Sequence, residues 1–111
     1  MEPIATRVLI YRDESGEKEI PIRLFAPEPQ DNHWICRFEI DWPGETRKSY
    51  GAGHDSMQAL VVTLNLIAVT LYTSDAHEEG KLGWGKVGDG YGFPVMSSMR
   101  DLLVGSDAKY F

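Results

Sequence analysis

Residues 55–72 read Asp-Ser-Met-Gln-Ala-Leu-Val-Val-Thr-Leu-Asn-Leu-Ile-Ala-Val-Thr-Leu-Tyr, and the fold turns on how this stretch is taken. Asp55 can accept hydrogen bonds from the orphan N–H groups of a first helical turn, and Gln58 can reach back in the manner of a capping box. The spacing predicts a helix over about 56–72. Past its first turn that helix is apolar almost all round, the mark of a helix buried on more than one side. At 1.5 Å per residue it would span roughly 25 Å, the width of a small domain. It is shorter than the ~20 apolar residues that a membrane span requires, and Gln58, Thr63, Asn65 and Thr70 interrupt it. A core helix is expected, and no membrane partner.

The segments before it alternate. Over 4–12, Ile4, Thr6, Val8 and Ile10 face one way and Ala5, Arg7, Leu9 and Tyr11 the other, which predicts a strand. Asp13-Glu14-Ser15-Gly16 is turn chemistry, so a hairpin into a strand at about 18–26 follows. Ile20, Ile22 and Leu24 are expected inward. Pro21 cannot donate to a ladder and points this strand toward an edge or a bulge. Residues 26–32 read as a loop. The clearest strand covers 33–42, where Trp34, Cys36, Phe38, Ile40 and Trp42 alternate with Ile35, Arg37, Glu39 and Asp41. Such a strand belongs in an antiparallel sheet with one wet face. Pro43-Gly44 turns the chain into a strand at 45–51, which Gly51-Ala52-Gly53 is expected to break before the helix.

The expected fold is therefore α+β: one domain over 1–111, with a four-stranded antiparallel β-meander packed on one long central helix. Thr73-Ser74-Asp75 ends that helix or opens a short turn, with Gly80 as its stop. Residues 80–94 hold six glycines around Trp84, Tyr91 and Phe93 and read as an ordered Gly-rich loop. Apolar residues at 95, 96, 99, 102 and 103 predict a short C-terminal helix over about 95–103, ended by Gly105.

Composition narrows the function classes. A chain of 111 residues with 42% hydrophobic and 25% charged residues is an ordinary single globule. Its net charge of −6 argues against a nucleic-acid partner, since phosphate binding needs a basic face. Such a partner would require Arg7, Arg37, Arg47 and Lys48 to form a stripe on the wet face of the sheet. Cys36 is the one cysteine, which excludes an internal disulfide and agrees with a reducing compartment. The N-terminal residues show no charged segment followed by an apolar run, so no signal peptide is expected, and the protein is expected in the cytoplasm.

Side chains that could carry chemistry each have a plainer account. His33 and Cys36 lie three apart, His54 precedes Asp55, and His77 precedes Glu78 and Glu79. Single histidines so scattered lack the paired spacing of metal ligands, and no metal is expected. Cys36 falls on the apolar face of its strand, where a thiol behaves as a small hydrophobe. Ser56 suits a helix cap better than a nucleophile. The stretch Gly83-Trp84-Gly85-Lys86-Val87-Gly88 has no Ser or Thr after its lysine and follows a helix, so it matches neither phosphate-binding fingerprint. No catalytic residue and no cofactor are expected. Gln58, Val62, Asn65 and Val69 share one helix flank that a single sheet would leave uncovered; a homodimer through that flank is expected. The alternative is a ligand-binding protein or enzyme with a pocket between the central helix and the Gly-rich loop, rimmed by His54, Asp55, Lys86 and Asp89.

The pattern Trp34-x-Cys36-x-Phe38-x-Ile40, then Asp55-Ser56-x-Gln58-Ala59-Leu60, then Gly80-x-Leu82-x-Trp84 and Gly92-Phe93-Pro94 is similar to a family of small bacterial domains of unknown function. The resemblance covers roughly 5–95, and the Asp-Ser-x-Gln-Ala-Leu box is its most specific part. The chain departs from the pattern in a longer Gly-rich stretch between Trp84 and Gly92. The resemblance implies bacterial origin, a meander-plus-helix fold and no established activity, and it carries over no catalytic residue. With the acidic charge, which would suit a basic protein partner, the expected role is a non-enzymatic interaction or accessory module, of which an immunity-type protein is one sort.

Overall fold

Alternating segments find each other across one sheet. A computed structural model describes residues 1–95 and 101–110. Strands β1 (Ala5–Asp13) and β2 (Gly16–Leu24) form a hairpin whose register runs from Ala5 opposite Leu24 to Asp13 opposite Gly16. Asp13 Oδ1 accepts from the N–H of Ser15 at 2.8 Å and from its hydroxyl at 2.6 Å, closing the turn. The strands β4 (His33–Trp42) and β5 (Glu45–Gly53) make a second hairpin. β2 pairs β4 over Ile22–Leu24, and the short β3 (Glu28–Gln30) continues along the same edge of β4 at Ile35, Trp34 and His33. On the far side, β6 (Leu82–Trp84) pairs β1 at Ile10 and Tyr11, and β7 (Lys86–Val87) pairs β6. All pairings are antiparallel.

This sheet corrects the expected architecture. Among the described residues seven strands stand in one sheet, in the order β3-β4-β2-β1-β6-β7 with β5 on β4, and more of these residues are in strands than in helices. A four-stranded meander on one long central helix, followed by a loop, does not describe the molecule. Three of the strands arise from stretches expected to be loops. Strands of two or three residues carry no readable period; they exist because the backbone groups of β4, β1 and β6 offer them partners. Pro21 also sits differently: β2 lies between β1 and β4, and Pro21 falls one residue before the pairing with β4 begins.

Helix α1 (Ser56–Tyr72) starts at its cap. Asp55 accepts from the N–H of Gln58 at 2.7 Å, and Gln58 Oε1 accepts from the N–H of His54 at 2.6 Å. Its buried residues are Ala59, Thr63, Ile67, Ala68, Leu71 and Tyr72, and it lies across β4 and β5. The core beneath it gathers Leu9, Ile20, Ile22, Phe38, Ile40 and Leu82, each contributing about 1.5–3 kcal/mol of transfer free energy. Rather than breaking its strand, Gly51 seats the helix. It pairs with Cys36 on the core face of β5, and a Cβ there would overlap the Thr63 hydroxyl and come within 3.0 Å of the Thr63 backbone nitrogen. That close approach lets Thr63 Oγ1 share its proton between Ala59 O at 2.7 Å and Cys36 O at 3.1 Å.

Ser74 then caps the short α2 (Asp75–Glu78), accepting from the N–H of His77 at 3.2 Å, and Gly80 leaves with φ +70°. The short helix expected over 95–103 covers residues 96–100, which lie outside the described residues. Asp101 and Leu102 form a 3₁₀ turn. The helix that is described here, α3 (Gly105–Tyr110), begins at the glycine that was expected to end one.

Candidate functional site

Side chains alternate across a strand, so Arg7 shares the core face of β1 with Leu9 and stands opposite Ile22. A guanidinium there must be paired and hydrogen-bonded. Its Nη1 donates to the carbonyls of Tyr91 at 3.2 Å and Gly92 at 2.8 Å. The group also lies 3.8 Å above the Trp84 ring centroid and 4.8 Å from that of Phe93, a cation–π arrangement. Burial pulls the Arg7 pKa down and the charge of Asp107 pushes it back up.

Asp107, from α3, is 1% exposed. Its Oδ2 accepts from the Tyr72 hydroxyl at 2.6 Å and the N–H of Tyr91 at 2.8 Å, and its Oδ1 from the N–H of Gly92 at 2.7 Å. The Tyr91 hydroxyl meets His77 Nδ1 in a short hydrogen bond. The Tyr72 ring packs 4.8 Å from His77 and 5.0 Å from Tyr91. Burial, ahead of the neighbouring Asp107, drives both tyrosine pKa values well above the ordinary phenol value, so both phenols are donors. Burial also lowers the pKa of His77, which favours the neutral imidazole. Gly90, at φ +88°, allows α3 this close: a Cβ on it would stand 2.6 Å from Asp107 Cγ.

Chemically, this is a cradle for a carboxylate. Three donors converge on Asp107 with a cation one peptide away. Among the described residues no buried side-chain nitrogen or oxygen lacks a partner, and no group of three or more His, Cys, Asp or Glu could hold a metal ion.

The residues expected to rim one pocket are not brought together. His54 and Asp55 are exposed at the start of α1, whereas Asp89 bonds Ser106, by its Oδ1 to the N–H at 3.1 Å, and lies beside Gly105, near the helix's far end. Lys86 is exposed on β7. A gap of about 140 Å³ does lie between α1 and the segment carrying Phe93, but Ala5, Arg7, Ile22, Leu64 and Ile67 line it. Cys36 is fully buried, donates to Phe25 O at 3.2 Å, and has its thiol pKa pushed up by burial.

Of the expected helix flank, Gln58 and Val62 are exposed, while Asn65 and Val69 are half-buried, Asn65 donating to Val61 O at 2.9 Å. Large apolar side chains are exposed at several places, among them Ile4 and Val8 near the start of the chain, Trp84 on β6, and the N-terminal half of α1, where Met57 is 74%, Val61 50% and Val62 39% exposed. The imagined basic stripe divides between the two faces. Arg37 and Lys48 are on the wet face beside Glu28 and Glu39, whereas Arg7 and Arg47 share a face with Ile22 and Ile40.

Sequence reasoning missed Tyr72, His77 and Asp107 as one cluster. One signal was available: an arginine on the apolar side of an alternating strand requires a counter-charge. Nothing local marks Asp107 as that charge.

Residues 5–95 match the family DUF6968, a domain of unknown function, and the chain belongs to that family. No curated protein and no solved structure matches it.

Proposed function

We propose that this domain is a non-enzymatic contact module of the bacterial cytoplasm that works as a homodimer, joined through the N-terminal half of α1. The observation that carries this reading is the helix itself. Over Ser56–Tyr72 it holds no charged residue, yet it leaves Met57, Val61 and Val62 on the surface. A chain of net charge −6 repels its own copies over most of its surface. An uncharged apolar face escapes that repulsion, and a two-fold contact sets the same face against itself. Gln58 and Asn65, beside the apolar residues, supply a polar rim of the usual kind. The buried, free Cys36 suits a reducing compartment. Among the described residues no helix is long and apolar enough to cross a membrane. The pocket reading has less support, because the 140 Å³ gap is below the roughly 300 Å³ at which ligand pockets begin.

Light scattering across a concentration series tests this reading, on the wild type and on Val61→Glu and Val62→Glu. A wild-type mass of twice the 12.5 kDa chain, falling to a single chain in both variants with far-UV circular dichroism unchanged, supports it. A monomeric wild type, or variants that remain dimers, overturns it.

A further inference from the structure

The donors that hold Asp107 and Asp107 itself come from different parts of the chain. Tyr72, Tyr91 and Gly92 lie within the family match over 5–95, and Asp107 lies beyond it. The donors form a fork: two reach Oδ2, one reaches Oδ1, in the planar two-oxygen pattern of a carboxylate. Arg7 strengthens the fork from behind, since it binds the carbonyl of the peptide whose N–H serves Oδ1. All these elements are domain residues, and the acid is brought to them by a six-residue helix.

We propose that Tyr72 Oη with the Tyr91 and Gly92 N–H groups is a binding site for a small carboxylate, which Asp107 fills in this chain as a tethered ligand. Tethering supplies the acid at an effective concentration in the millimolar range, so an external carboxylate enters only where Asp107 has withdrawn or lost its charge. Formate and acetate match the space of the missing group.

The test is chemical rescue in the full chain. Asp107→Ala is melted in increasing sodium acetate, with sodium chloride at equal ionic strength as control. The expected result is a saturable rise in melting temperature specific to acetate, about 4 °C or more once acetate exceeds its dissociation constant about fivefold. The rise should be absent in the wild type and abolished by adding Tyr72→Phe. A folded Asp107→Ala that responds equally to acetate and chloride overturns the proposal. Should Asp107→Ala fail to fold, Asp107→Ser, which leaves the carboxylate's space open but keeps a polar group beside it, is titrated with acetate while the Gly92 amide resonance is followed. A saturable acetate-specific shift supports the site, and an unmoved resonance overturns it.

Discussion

Arg7 and Asp107 grip opposite ends of one peptide group, the one joining Tyr91 to Gly92. Arg7 Nη1 donates to its carbonyl at 3.2 Å, and its N–H donates to Asp107 Oδ1 at 2.7 Å. The peptide dipole is aligned between a cation and an anion, so each bond polarises the other. Strand β1 is thereby coupled to α3 through a segment that belongs to neither.

That relay predicts non-additive energetics. Arg7→Met and Asp107→Asn should each destabilise the fold by about 1.5–3 kcal/mol, the worth of hydrogen bonds to charged groups. The double variant should lose less than the sum, with a coupling of at least about 0.5 kcal/mol. Urea denaturation of the four chains measures it. Additivity would mean that the peptide transmits nothing.

Gly51→Ala should destabilise by about 1–3 kcal/mol, because the new methyl group overpacks the place where Thr63 meets β5. Combining it with Thr63→Ala should restore only part of the loss. The hydroxyl is then gone, but the Thr63 backbone nitrogen still lies 3.0 Å from the new Cβ. Thermal melts of the two variants decide.

His77 gives the fold a pH dependence of definite sign. Its pKa is lowered by burial from the ordinary 6.5, so below about pH 6.5 the unfolded chain takes up a proton that the native imidazole refuses. The stability it contributes is complete above 6.5 and is lost as pH falls toward the native value. Melting temperatures between pH 7.5 and 5 should fall more steeply in the wild type than in His77→Gln. Parallel curves would show that His77 does not control the slope.

Cys36 should resist a thiol reagent in the native state. It is fully buried and its thiol is held protonated by burial, so reaction requires opening of the sheet beneath α1. Labelling by a chromogenic disulfide should be ~10³-fold slower in buffer than in denaturant. A native rate near the denatured one would place the thiol at the surface.

The sequence makes legible what neighbouring residues decide. The alternation of Trp34, Cys36, Phe38, Ile40 and Trp42 marks β4, and the pairing of Asp55 with Gln58 marks the start of α1, because both signals repeat or close within a few residues. The sheet's true extent was hidden. β6 and β7 occupy a stretch that reads as a Gly-rich loop, and their pairing depends on an edge of β1 about seventy residues earlier. Gly51 misled for the same reason: it ends nothing, and its lack of a side chain matters only once α1 arrives above it. Asp107 was equally silent, since its donors stand at residues 72, 91 and 92, and no local pattern announces a carboxylate that will be enclosed.

The pairing of β1 with β6 also governs the order in which the domain can be completed. Ile10 and Tyr11 must wait for Gly83 and Leu82, and Arg7 for the carbonyls of Tyr91 and Gly92. On a ribosome, then, one side of β1 stays open until about seventy further residues have been made. Such distant closures slow folding and leave a bare strand edge in the meantime. A nascent chain halted before residue 82 is a natural client for a chaperone.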